Sequence, residues 1–135
     1  MIKNNEKCRT NMRIARLYLL ASLALAVAGA VYEYFSHGVY SNYMIYAFMV
    51  PLVLGCLPHL GKSAEIIEAG GLASEMLLMT SVATLSIWSV MKGVLGIYGT
   101  SNRLTAFYPV AAAILLTASV LIGFLNMRLK KAAGN

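Results

Sequence analysis

Hydrophobic positions along the chain gather into four long runs, at about residues 14–35, 43–60, 73–98 and 105–127, separated by short polar stretches. Each run is near the ~20 residues that an α-helix needs to cross a ~30 Å hydrocarbon layer. None alternates with the period of two that a lipid-facing β-strand requires. The pattern predicts an all-α integral membrane bundle of four transmembrane helices, with residues 1–135 as a single transmembrane domain. Pro51 is expected to bend the second helix, because proline removes a backbone donor and crowds the preceding turn. The first run also has the outline of a signal peptide, with Ala28-Gly29-Ala30 as a cleavage site. Its apolar character continues through Val31 to Phe35, so it is read as a retained helix.

Composition supports the membrane assignment. Hydrophobic residues make up 59% of the chain and charged residues 12%, whereas a soluble domain carries about 25% charged residues. A chain of 135 residues has too little interior to hide so much apolar surface in one core. Its formal net charge of +6 is concentrated at the ends, in Lys3, Lys7, Arg9, Arg13 and Arg16 and in Arg128, Lys130 and Lys131. The 36–42 connection has no Lys or Arg, 99–104 has only Arg103, and 61–72 contains Lys62. Basic loops stay in the cytoplasm, so the expected topology is N-in/C-in in the cell membrane, with the lipid bilayer as the first partner. In the middle connection, Glu65 and Glu68 beside Ile66 and Ile67 are expected to form a short interfacial turn before Gly70-Gly71. The aromatics lie inside the apolar runs and not on a basic face, which argues against a nucleic-acid partner.

Candidate chemistry is sparse. An ionisable side chain inside a span is a functional candidate by default, and two qualify. Glu33 lies roughly one turn from the outer end of the first helix and Lys92 about two turns from the outer end of the third. Their similar depth makes an ion pair the first expectation. On the third helix, Thr80, Thr84, Trp88 and Lys92 repeat at i+4 and share one face, and Ser and Thr at such positions also serve simply to join helices. Seven of the eight tyrosines (Tyr32, Tyr34, Tyr40, Tyr43, Tyr46, Tyr98 and Tyr108) fall toward the same outer side. An interfacial belt accounts for part of that excess, and the remainder fits an outer pocket with apolar walls and hydrogen-bonding tips. His37 is the acid–base candidate there.

The stretch Tyr32-Glu-Tyr-Phe-Ser-His-Gly-Val-Tyr-Ser-Asn-Tyr-Met-Ile-Tyr-Ala-Phe is the most distinctive in the chain. With Ile97-Tyr-Gly-Thr and Tyr108, it resembles an uncharacterised group of small four-helix membrane proteins of Gram-positive bacteria. The resemblance covers the first two helices best and implies a bacterial four-helix protein, with no activity attached.

Toward the inner side, Cys56 and His59 are three residues apart, as are Met76 and Met79. Thiolate, imidazole and thioether form a donor set suited to Cu(I), but methionine in an apolar chain mostly fills space and Pro58 disturbs the helical spacing. The four are weak metal candidates, and no metal or cofactor is assigned. His37 and His59 lie roughly 30 Å apart by helical rise, too far to share one haem. There is no Asp, HExxH, GxSxG, P-loop or CxxC.

The leading expectation is therefore a small polytopic protein that binds or transports a small molecule or ion. Its outward-facing polar and aromatic site would be built from Glu33, His37, Tyr40, Trp88, Lys92 and Tyr98. Alternatives are a non-catalytic subunit or partner of a larger membrane complex, and a small membrane enzyme using Glu33 and His37. Four helices enclose little space, so a transporter is expected to be a homo-oligomer. Ala24-xxx-Ala28 and Ser119-xxx-Gly123 are the spacings that would serve its contacts.

Overall fold

The computed structural model describes residues 2–64 and 70–133, with side chains from Asn5 onward. The described residues are helical, with no strand among them. Helix α1 spans Ile2–Phe35, the short α2 Asn42–Ile45 and α3 Leu57–Ser63, followed by α4 over Leu72–Ile97 and α5 over Phe107–Ala133. Three helical stretches are long and apolar enough to cross a membrane, within Asn5–Phe35, Leu72–Ile97 and Arg103–Ala133. The expected turn at Glu65–Glu68 lies outside the described residues.

The run expected as one helix over 43–60 is broken. Backbone bonds at Ala47, Met49 and Val50 reach back three residues, to Met44, Tyr46 and Ala47. The chain then widens into a π-helical turn over Pro51–Cys56 before α3 begins. Two prolines explain this. Pro51 cannot donate to the carbonyl of Ala47, and Pro58 cannot donate to that of Leu54, so a regular α-ladder fails at both. Neighbours take up what the break leaves. The Ser22 hydroxyl donates to the Phe48 carbonyl at 2.8 Å, and Tyr18 lies directly over Gly55, where any side chain would enter its ring.

Small residues set the faces by which the helices meet. Asn11, Ala15, Ser22 and Gly29 form the buried stripe of α1, while Leu17, Leu20, Leu23 and Val27 face outward. On α4 the buried positions include Ser81, Ser89 and Gly93. Three serine hydroxyls of α4 cross to neighbouring backbone: Ser74 to Ser119 at 2.8 Å, Ser81 to Ala112 at 2.9 Å and Ser89 to Tyr43 at 2.7 Å. Ser119 returns a bond to the Ser74 carbonyl at 2.7 Å, and Gly123 of α5 sits against Gly70 and Ser74. Ser119 and Gly123, expected at a contact between copies, are thus buried inside the protomer. Ala24 and Ala28 remain exposed.

The elements lie in a row. Helix α1 packs on the Pro51–Ser63 stretch, that stretch and α2 pack on α4, and α4 packs on α5. Among the described residues the backbone of α1 does not come close to that of α4 or α5, and α1 meets the end of α4 only through side chains. The two ends of the molecule are nevertheless clear. Cys8 Sγ lies 3.5 Å from the Ser63 carbonyl, and the Asn126 amide donates to the Gly70 carbonyl at 2.6 Å. The starts of α1 and α4 and the ends of α3 and α5 therefore share one end. Loops 36–41 and 98–106 occupy the other, where glycines enable sharp turns at Gly38 (φ 91°) and Gly99 (φ 68°).

Candidate functional site

At the loop end, Lys92 opens into a recess of about 260 Å³ with Tyr40, Tyr43, Leu95 and Thr100 around it and Ser41 at its floor. Its placement follows from local structure. Gly93 lets the backbone of α4 approach Met44, and the Ser89 hydroxyl fixes the Tyr43 carbonyl. Together they press the α2 turn against the last turns of α4. Trp88 supports this floor from below, with its ring edge-on to Tyr43 at 5.4 Å.

The expected ion pair does not form. Among the described residues no carboxylate lies within 4.0 Å of the Lys92 ammonium. Glu33 instead accepts the backbone N–H of Ser41 at 3.3 Å through Oε1. The turn after α1 brings Ser41 to Glu33 as α2 begins, and Ser41 also touches the neighbourhood of Gly96. Glu33 thus organises the loop beneath the recess, while Lys92 faces into it.

The other expected site residues divide. Tyr40 joins Lys92, and Trp88 sits behind Tyr43. Tyr98 belongs to a separate groove of about 490 Å³ with Tyr32, Phe35 and Ile97. His37 adopts a left-handed conformation (φ 55°) on the exposed turn and lines neither cavity. The threonine stripe does not reach the recess: Thr80 and Thr84 donate to the carbonyls four residues back, Met76 and Thr80. The recess gains Tyr43 and Thr100, which the i+4 pattern on α4 had no means of selecting because they lie on other elements.

The four weak metal candidates also separate. Cys56 and His59 are buried, whereas Met76 and Met79 are turned outward and exposed. Among the described residues no three His, Cys, Asp or Glu side chains form a metal-holding group. His59 meets Glu75 and Lys62 instead. Compared with known protein families, curated proteins and solved structures, the chain matches none.

Proposed function

We propose that the chain is a four-pass membrane protein with both termini in the cytoplasm, and that its outward recess binds a small molecule bearing an anionic group. The observation that carries this reading is Lys92, a cation near membrane depth that lines a tyrosine-walled recess and, among the described residues, has no carboxylate within 4.0 Å. Such a residue is costly inside a bilayer and is characteristic of ligand and ion pathways. The recess is smaller than the ~300–1,000 Å³ typical of sites for drug-sized ligands, which favours a ligand of few heavy atoms. Tyr40 and Tyr43 supply apolar walls with polar tips, and Thr100 a hydroxyl donor.

A fourth pass by residues 42–63 is supported by their run from the loop end to the end shared by the termini. Irregular backbone is tolerated at membrane depth where it is buried in protein, and Pro51, Gly55 and Cys56 are buried.

Native mass spectrometry of protein released from its native membrane tests the reading. A small bound species is expected on the wild type and absent from Lys92→Met, and added acetate or phosphate should bind the wild type at least about tenfold more tightly, a difference of ~1.4 kcal/mol. Equal binding by both proteins would remove Lys92 as the anchor.

The open row favours a second reading, a subunit of a homo-oligomer or larger membrane complex. Helix α5 rests chiefly on α4 and α1 chiefly on the second segment, leaving the row with two one-sided edges. The same spectra report stoichiometry and decide it.

A further inference from the structure

At the end that carries the termini, three titratable side chains from α3 and α4 converge. Lys62 Nζ lies 2.6 Å from Glu75 Oε1, and His59 Nε2 lies 3.5 Å from Glu75 Oε2. The His59 side chain is 0% exposed, against 9% for Lys62 and 18% for Glu75. Among the described residues neither ring nitrogen of His59 has a hydrogen-bond partner, nor does Glu75 Oε2.

This pattern is unusual for a purely structural group. Buried polar atoms are nearly always paired, and one left without a partner loses its hydration with nothing to replace it. Here Lys62 satisfies only one carboxylate oxygen, and the other is turned toward an imidazole edge slightly beyond bonding distance. A neutral imidazole carries one N–H and one lone pair, so it has a free site for a proton facing a free acceptor.

Burial of the imidazole and the Lys62 ammonium oppose a cation on that ring, and the groups packed against its edge and faces offset them. From α1, Tyr18 lies face to face with His59, with centroids 5.7 Å apart and planes 22° from parallel, an arrangement that favours the imidazolium through the ring quadrupole. Also on α1, Asn11 is buried with an unpartnered amide nitrogen, at a level between the Cys8–Ser63 and Tyr18–His59 contacts. The π-helical turn brings buried Cys56, and α3 contributes the Lys62 cation, which opposes protonation. Glu75 of α4 is the one carboxylate facing the ring among the described residues.

We propose that His59 is a proton-binding site, closed by Glu75. A proton from the aqueous phase at the termini adds to the lone pair of the neutral imidazole, and the resulting imidazolium donates its Nε2 hydrogen to Glu75 Oε2. The net charge of the three side chains rises by one, no bond between heavy atoms changes, and the 3.5 Å separation shortens to an ordinary charge-assisted bond of ~2.8 Å. The proton thereby ties α3 to α4 and to the Tyr18 face of α1. This inference is independent of the Lys92 recess, which lies at the opposite end of α4.

Ring-nitrogen NMR of histidine-labelled protein in lipid nanodiscs tests it. Only His37 and His59 contribute signals, and His37→Gln identifies the second. His59 is expected to take up a proton before the pH has fallen to 5. Glu75→Gln should weaken its proton affinity at least about tenfold, one pH unit, whereas Lys62→Met should strengthen it. A ring that stays neutral down to pH 5, as a bridging water alone would leave it, overturns the proposal. So does a midpoint that Glu75→Gln leaves unmoved. Should Glu75→Gln fail to fold, the wild-type and Lys62→Met titrations decide the question.

Discussion

A charged side chain near membrane depth carries a penalty of a few kcal/mol, and Glu33 and Lys92 meet it differently. Glu33 accepts a hydrogen bond from the Ser41 amide and so holds the loop; Lys92 lines the tyrosine-walled recess. Their matched depth is legible in the sequence, but depth says nothing about azimuth around the helix or about a backbone amide arriving between them. The two substitutions should therefore act independently. Glu33→Gln weakens one bond to the loop, with an expected loss of about 1 kcal/mol, and adding Lys92→Met should neither rescue nor deepen that loss by more than ~0.5 kcal/mol. Unfolding of the two single variants and the double variant in detergent measures the coupling. A coupling of several kcal/mol would mean that the side chains pair in the membrane after all.

At the scale of elements, the hydroxyl-bearing residues of α4 show what periodicity reaches and what it misses. Thr80 and Thr84 sit on one face as their spacing requires, yet each hydroxyl bonds its own preceding turn. The serines do the joining, because at Ser74, Ser81 and Ser89 small neighbours such as Gly93 and Gly123 allow another backbone within reach. Residue type alone ranks serine and threonine alike; close approach separates them. The same limit applies to the second run. Pro51 marks a disturbance in the sequence, but the π-helical turn that follows depends on Pro58 as well and on Tyr18 and Ser22 receiving the loosened backbone. The Ser74–Ser119 exchange gives a direct check. Each alanine variant should lower stability by about 0.6 kcal/mol and by no more than ~1.7 kcal/mol, the average and the maximum for hydrogen bonds between membrane helices. The double variant should fall short of the sum, because either single change already disrupts the reciprocal pair. Thr80→Ala, measured alongside by reversible unfolding, should be nearly silent.

For the whole molecule, three long apolar helices were readable from run length alone, since length and hydropathy are local properties. The row in which they lie was not, because nothing local says which helix meets which. His59, Lys62 and Glu75 escaped notice as a group for the same reason: His59 stood out only beside Cys56, and only the meeting of α3 with the start of α4 assembles the three. The shared end of the termini now sharpens a test of orientation. The proposed topology has the basic ends in the cytoplasm, and the contacts of Cys8 with Ser63 and of Asn126 with Gly70 put both at one end of the molecule. Cys8 is exposed and Cys56 buried, so the native chain offers one accessible thiol reporter. A thiol reagent that cannot cross membranes should leave Cys8 unlabelled in intact cells and label it once they are permeabilised. The opposite end needs an introduced cysteine. Ser41 would be a poor choice, being 7% exposed and bonded to Glu33, whereas Val39 is 47% exposed on the same loop. Val39→Cys in a Cys8→Ser background should therefore react in intact cells without permeabilisation. The reverse pattern at both positions would turn the protein over, placing the Lys92 recess in the cytoplasm and the His59 cluster outside.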